Sequence, residues 1–208
     1  MPARSSSSAE ARQSRRPSTP SAAATSAAAA PTPVDSPQAR RRLRVGVLAL
    51  DGMMLSTYGS VVDTLLIAQR VADIQMPGLM DFQAVLVAAP GRRQVRTADG
   101  TRLQPREAAD AADLDLVLVP GLMHASPSEL FSRRHDYSAE IDCLRRLHAR
   151  GVALASSCCG TFLLAEAGVL DGQRATTSWW LGAAFRHRYP DIHLDADALL
   201  VEAPGVTT

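Results

Sequence analysis

The run VALASSCCGTFLLAEAG, residues 152–168, leaves the chain few folds to choose from. Val152-Ala153-Leu154 opens it as an unbroken apolar segment of the kind that makes a buried strand. A helical apolar pattern begins at Cys159, so nothing separates strand from helix. The adjacent pair Cys158-Cys159 therefore sits where a strand turns sharply into a helix, followed at once by Gly160.

The rest of the chain repeats the alternation. Arg44–Leu50 is a near-continuous apolar strand ended by Asp51-Gly52, and residues 58–73 follow at helical spacing through Val61, Val62, Leu65, Leu66 and Ala68. Phe82–Ala88 is a second strand closed by Pro90-Gly91, and Ala98-Asp99-Gly100-Thr101 marks a hairpin within 94–103. Leu114–Val119 is a third buried strand, and Tyr137–Arg150 an amphipathic helix stopped by Gly151. Residues 152–156 make a fourth strand and 159–167 a helix. Arg174–Thr177 can form another strand, Trp179–Tyr189 a helix ended by Pro190, and Leu199–Glu202 a last short strand. The plan is α/β: a three-layer sandwich in which a mostly parallel sheet carries helices on both faces. Sites in such sheets gather at the carboxyl ends of strands. That singles out Asp51-Gly52-Met53, Pro120-Gly121-Leu122 and Ser157-Cys158-Cys159-Gly160.

Composition sets the domain limits. Residues 1–43 are Ser, Ala, Pro, Thr and Arg with hardly any large apolar side chain, too little to offset ordering entropy, and read as a disordered tail. Residues 44–208 form one domain. Residues 1–44 carry eight Arg against two acids, net +6, and the remainder fourteen Arg against nineteen acids, net −5. The globular part thus offers no general nucleic-acid surface. No stretch is long and apolar enough for a membrane span, and a cytoplasmic location is expected. The three cysteines form no Cys-x-x-Cys unit, so no disulfide framework, no metal site and no cofactor is indicated. Apolar stripes at 58–68 and 179–185 are core by default and otherwise a homodimer contact.

An elbow residue projects above the sheet, and the N–H groups that follow it are free. The helix N-terminus favours a thiolate there, by about 0.3–1 kcal/mol, and no adjacent Arg adds to it. Cys158 is the candidate nucleophile or sensor thiol, with the backbone N–H groups of Leu122 and Cys159 as oxyanion donors. Free cysteines are also often small buried hydrophobes, and the residues alone leave both readings open.

Several segments carry a resemblance to a known family: Leu48-Ala49-Leu50-Asp51-Gly52, Asp115–Gly121, Ser157–Gly172, Arg174–Trp179 and Phe185–Pro190. Over about residues 43–208 the chain resembles the ThiJ/PfpI domain, a branch of the class I glutamine-amidotransferase-like superfamily. It is most similar to the version found at the N-terminus of AraC-type transcriptional regulators. The resemblance puts the family's elbow cysteine on Cys158. The family's usual acid/base positions fall on Thr57, Cys159 and Ser178, none of which supplies a carboxylate or an imidazole. Asp51 and His124 are the remaining substitutes. Asp51, Gly52, Met53, Gly121, Ser178 and Trp179 are the expected ligand-pocket residues. The function implied is a ligand- or redox-sensing domain rather than an efficient enzyme, with a small molecule as partner and no DNA binding from this chain alone. The alternative is a stand-alone cysteine enzyme acting on a small carbonyl, amide or nitrile-like substrate. The resemblance also predicts a further strand, a long helix and a helix-turn-helix domain after Thr208, so a chain truncated at its C-terminus is expected.

Overall fold

A computed structural model of the chain describes residues 40–109 and 112–208. Residues 1–39, nearly all of the expected tail, lie outside the described residues.

The strands are β1 (Arg41–Leu48), β2 (Met80–Ala88), β3 (Val95–Arg96), β4 (Arg102–Leu103), β5 (Glu107–Ala108), β6 (Leu116–Val119), β7 (Ala153–Ser156), β8 (Arg174–Ala175), β9 (His193–Leu194), β10 (Glu202–Ala203) and β11 (Val206–Thr207). The α-helices are α1 (Leu55–Gln75), α2 (Pro127–Ser132), α3 (Ser138–Ala149), α4 (Thr161–Glu166) and α5 (Gly182–Arg188). The main sheet runs β10-β11-β7-β6-β1-β2-β5. All its neighbours pair in parallel except β10 with β11, so six parallel strands carry one antiparallel edge.

Burial explains which apolar runs became central. Val47, Leu48, Val87, Val117, Val119 and Leu154 are fully buried on strands at the middle of the sheet. Gly46 belongs among them because a Cβ there would meet Leu114 Cδ1 at 2.8 Å. α3 sets Cys143, Leu144 and Leu147 into the core, with none of the three accessible. Over the core, Phe162 contacts Phe131, Phe185 and Tyr189, with ring centroids 4.9–6.0 Å apart. α1 packs on β2 through one half-buried side and exposes Leu66, Ile67, Val71 and Ile74 on the other.

Three expectations change. Strand β1 begins at Arg41, which pairs with Met80, three residues before the strand start expected at Arg44. The last strand is not 199–202: Leu199 is wholly exposed, and a hairpin through Pro204-Gly205 pairs Glu202 with Thr207 instead. Gly205, at φ +73, makes that turn possible. α2 was not expected, although its sequence announces it. Ser126 Oγ accepts from Glu129 N at 3.2 Å, Glu129 Oε2 accepts from Ala125 N at 2.6 Å, and Pro127 opens the first turn.

Candidate functional site

β7 ends at Ser156, and Ser157 continues extended at φ −118, ψ 134. Cys158 then turns to φ +56, the sole non-glycine residue with positive φ among the described residues. A cysteine in that region costs about 1–2 kcal/mol, so the surroundings must hold it. Thr177 Oγ1 donates to the Cys158 carbonyl at 3.0 Å. Thr161 Oγ1 lies 3.1 Å from the same carbonyl and 3.1 Å from Thr176 O, and its one proton serves one of them at a time. Thr176 is itself anchored, its N–H donating to Thr208 Oγ1 at 2.8 Å and its hydroxyl to Ala198 O at 2.9 Å. The Thr176-Thr177-Ser178 segment thus braces the elbow from the side.

From below, two glycines let the chain close up. A Cβ on Gly160 would fall 2.6 Å from Val119 O and 2.8 Å from Pro120 O. A Cβ on Gly121 would meet Cys158 Cβ at 3.2 Å and its Sγ at 3.8 Å. The end of β6 and the elbow are in contact because both residues lack side chains.

The sulfur of Cys158 is half-buried and receives the Ser178 hydroxyl at 2.8 Å. Its pKa falls from 9.0 to about 5. The first cause is hydrogen bonding from the neighbouring Cys159 thiol; Ser178, the Cys159 backbone N–H and the field of His124 add to it, and burial opposes. The sources differ from those expected. The elbow passes through a 3-10 turn, Cys158–Gly160, into an α4 of only six residues, and side-chain donors act there beside the Cys159 backbone N–H. Cys159 is driven strongly upward, first by side-chain hydrogen bonding with Cys158, which favours its protonated form, then by burial, with the charge of the neighbouring thiolate adding to both.

Cys159 is fully buried and does not share the cavity. Leu122 N–H donates to its Sγ at 3.0 Å, and the thiol donates to Leu122 O at 3.2 Å. The Leu122 N–H expected to serve an oxyanion is therefore turned onto a sulfur.

A cavity of about 680 Å³ opens above Cys158. Of the expected pocket residues, Ser178 and Trp179 line it; Asp51, Gly52, Met53 and Gly121 do not. Met53 is fully buried core. Asp51 is held by the Arg92 guanidinium at 2.8 Å and by Arg96 N at 2.7 Å, and Arg92 also reaches the fully buried Glu140. An acid so engaged fixes a loop. Gly52 lies under Arg133 and Tyr137, and Gly121 supports the elbow. Thr57 sits in the first turn of α1. His124 acts on Cys158 through its field, and its Nδ1 is buried without a hydrogen-bond partner. Sequence reasoning missed Trp180, Asp197, Leu199 and Leu200, which share the cavity. The doublet Trp179-Trp180, edge-to-face at 5.5 Å and largely exposed, was the available signal. Among the described residues no group of three or more His, Cys, Asp or Glu is placed to hold a metal.

The DJ-1/PfpI family profile matches residues 64–191. The HTH-type transcriptional regulator GbdR of Pseudomonas aeruginosa is 29% identical over 173 residues, 83% of this chain and 44% of the regulator. The chain thus spans less than half the length of that relative. A Streptomyces lividans protein described as an uncharacterized protein in the cpoL 5'region is 33% identical over 150 residues, 71% of this chain and 95% of its own. Two crystal structures share the fold. A putative transcriptional regulator from Vibrio parahaemolyticus has a TM-score of 0.65 at 24% identity, covering 80% of this chain and 83% of that one. An AraC family transcriptional regulator from Pseudomonas putida has a TM-score of 0.59 at 22% identity, covering 79% and 82%.

Proposed function

This chain belongs to the DJ-1/PfpI family, and we propose that it is a ligand- or redox-sensing domain of the kind found in AraC-type regulators, with Cys158 as the responsive thiol. The observation that carries the reading is the state of that thiol. It is held at positive φ on the edge of a cavity, hydrogen-bonded by Ser178 and shifted toward thiolate, with no carboxylate bonded to it among the described residues. A thiolate with no carboxylate bonded to it adds to or is modified by a ligand more readily than it completes a hydrolytic cycle, since general acid–base help supplies about a hundredfold or more in turnover.

The cavity suits a small ligand. Hydroxyls of Thr161, Thr176 and Thr177 are committed to backbone carbonyls, so the floor is rigid and the ligand meets Ser178, Cys158 and the side chains of Trp179, Trp180 and Leu200. The expected three-layer plan supports the placement. The chain leaves β1 for β2 through α1 in one direction and β6 for β7 through α3 in the other. Right-handed crossovers then put those helices on opposite faces, with the elbow at a carboxyl end between them.

A second reading has its own support. The Streptomyces relative is matched over nearly its whole length, and His124 acts on the sulfur. Both fit a stand-alone cysteine enzyme on small carbonyl, amide or nitrile-like compounds. One experiment separates the two. Alkylation of Cys158 at neutral pH, mapped by mass spectrometry, is repeated across a metabolite panel while each compound is followed for conversion. Sensing predicts fast labelling of Cys158, protection by one compound and no conversion. Conversion abolished by Cys158→Ser would establish the enzyme.

A further inference from the structure

Helix α1 has 21 residues, and Ala72 alone among them is fully buried. Its sequence is nonetheless apolar on every side. Val61, Leu65 and Ala68 are half-buried on the side of Ala72, while Leu66, Ile67 and Ile74 are 61%, 65% and 81% exposed on the other. A helix apolar all round belongs inside a protein or against a partner. The outward residues also form one line. At about 100° per residue, Asp63, Leu66, Ile67, Arg70 and Ile74 share an arc of about 100° on the side away from Ala72.

That line carries a charge pattern of its own. Asp63 and Arg70 are exposed, and neither forms an ion pair among the described residues. Seven positions apart, they stand about 10 Å from each other along the helix, too far to pair. Asp73, the acid one turn beyond Arg70, is taken by the Gln69 amide at 2.7 Å. Asp63 and Arg70 lie at equal distances from the midpoint between Leu66 and Ile67. A two-fold axis through that midpoint, at right angles to the helix, turns each Asp63 onto Arg70 of a second copy. The same axis sets Leu66 against Leu66 and Ile67 against Ile67, inside the two charge pairs. A parallel pairing would bring Asp63 against Asp63 and Arg70 against Arg70, so the charges select the antiparallel one.

We propose that the outer face of α1 is an interface with a second copy of this chain, the two helices antiparallel about a two-fold axis between Leu66 and Ile67 and joined by two Asp63–Arg70 ion pairs. A single pair of helices about 30 Å long makes a small interface, so the dimer is a reversible one. The inference uses nothing of the elbow, and it stands or falls independently of the reading of Cys158.

Sedimentation equilibrium of the full chain tests it with wild type, Asp63→Arg, Arg70→Asp and an equimolar mixture of the two variants. Both positions are exposed, so neither reversal disturbs the core. The wild type should show a monomer–dimer equilibrium. Each reversal places two like-charged pairs in the interface and should weaken dimerisation about tenfold or more. The mixture should regain most of that loss, because one variant then offers two arginines to the two aspartates of the other. A wild type that stays monomeric up to about 0.1 mM overturns the proposal, whether the face is bare or covered by another segment of the chain. A dimer that neither reversal weakens is held by a different face, such as the exposed Trp179-Trp180 doublet, and overturns it equally. Weakening in both variants without recovery in the mixture would show that the reversals act on folding rather than on pairing, and would also overturn it.

Discussion

Gly160→Ala is the substitution that most directly tests how the elbow is built. Gly160 has φ −54 and ψ −26, ordinary right-handed values that alanine adopts freely. Any cost is therefore steric. The added Cβ would lie 2.6 Å from Val119 O, 2.8 Å from Pro120 O and 3.2 Å from the Val119 carbonyl carbon. All three are backbone atoms at the end of β6, where Val119 pairs with Ser156, so none can swing aside as a side-chain tip would. Overpacking of this kind costs about 1–3 kcal/mol and sometimes more. Alanine gains back about 0.5–1 kcal/mol over glycine in unfolded-chain entropy. The clash wins, with a net loss of about 1–2 kcal/mol and a Tm lower by roughly 3–8 °C for a domain of this size. Gly59→Ala is the matched control. Gly59 lies inside α1 with nothing within 4 Å of its added Cβ, so the entropy gain stands alone and stability should rise by about 0.5–1 kcal/mol. Calorimetry and urea titrations with unchanged m values would measure both. A Gly160→Ala protein that melts at or above the wild type would refute the claim that β6 and the elbow touch through this glycine.

Other expectations follow from the same contacts. Ser178→Ala should raise the Cys158 alkylation midpoint by about one pH unit, since a hydrogen bond to a charged group contributes about 1.5–3 kcal/mol; an unchanged pH profile would show that the 2.8 Å contact does not act on the thiolate. Cys158 has a folded pKa of about 5 against 9.0 unperturbed, so its ionisation stabilises the fold fully above pH 9, progressively less as pH falls, and not at all below about 5. Denaturation curves of wild type and Cys158→Ala should therefore converge as pH is lowered from 9 to 5; parallel curves would contradict it. Arg92→Met should cost about 3–5 kcal/mol by leaving the fully buried Glu140 without its cation, and Arg92→Met with Glu140→Met should recover much of that loss. A double-variant loss equal to the sum of the losses of Arg92→Met and Glu140→Met alone, measured by urea unfolding, would mean that the pair is not coupled.

The sequence by itself determined the strand-helix alternation, and with it the parallel sheet, because runs such as Val45–Leu50 and Val152–Leu154 are too apolar to sit anywhere but inside one. It also placed Cys158 at the turn, because no linker residue separates the strand pattern from the helix pattern. Local signals for α2 and for the Pro204-Gly205 hairpin were present in Ser126-Pro127-Ser128-Glu129 and Glu202–Val206, since caps and turns are specified by near neighbours. What only the tertiary structure decided was which groups converge on the sulfur. Asp51 and Ser178 are equally good candidates in one dimension. The first is drawn to Arg92, and the second is delivered to Cys158 by a segment that Thr208 and Ala198 hold from across the chain. The turning of Leu122 N–H onto Cys159 was equally hidden, because 37 residues separate them and the contact exists only once β6 and β7 lie side by side. Strands and turns are written in neighbouring residues; the state of a thiol is set by whatever the closed sheet brings to within 3 Å of it.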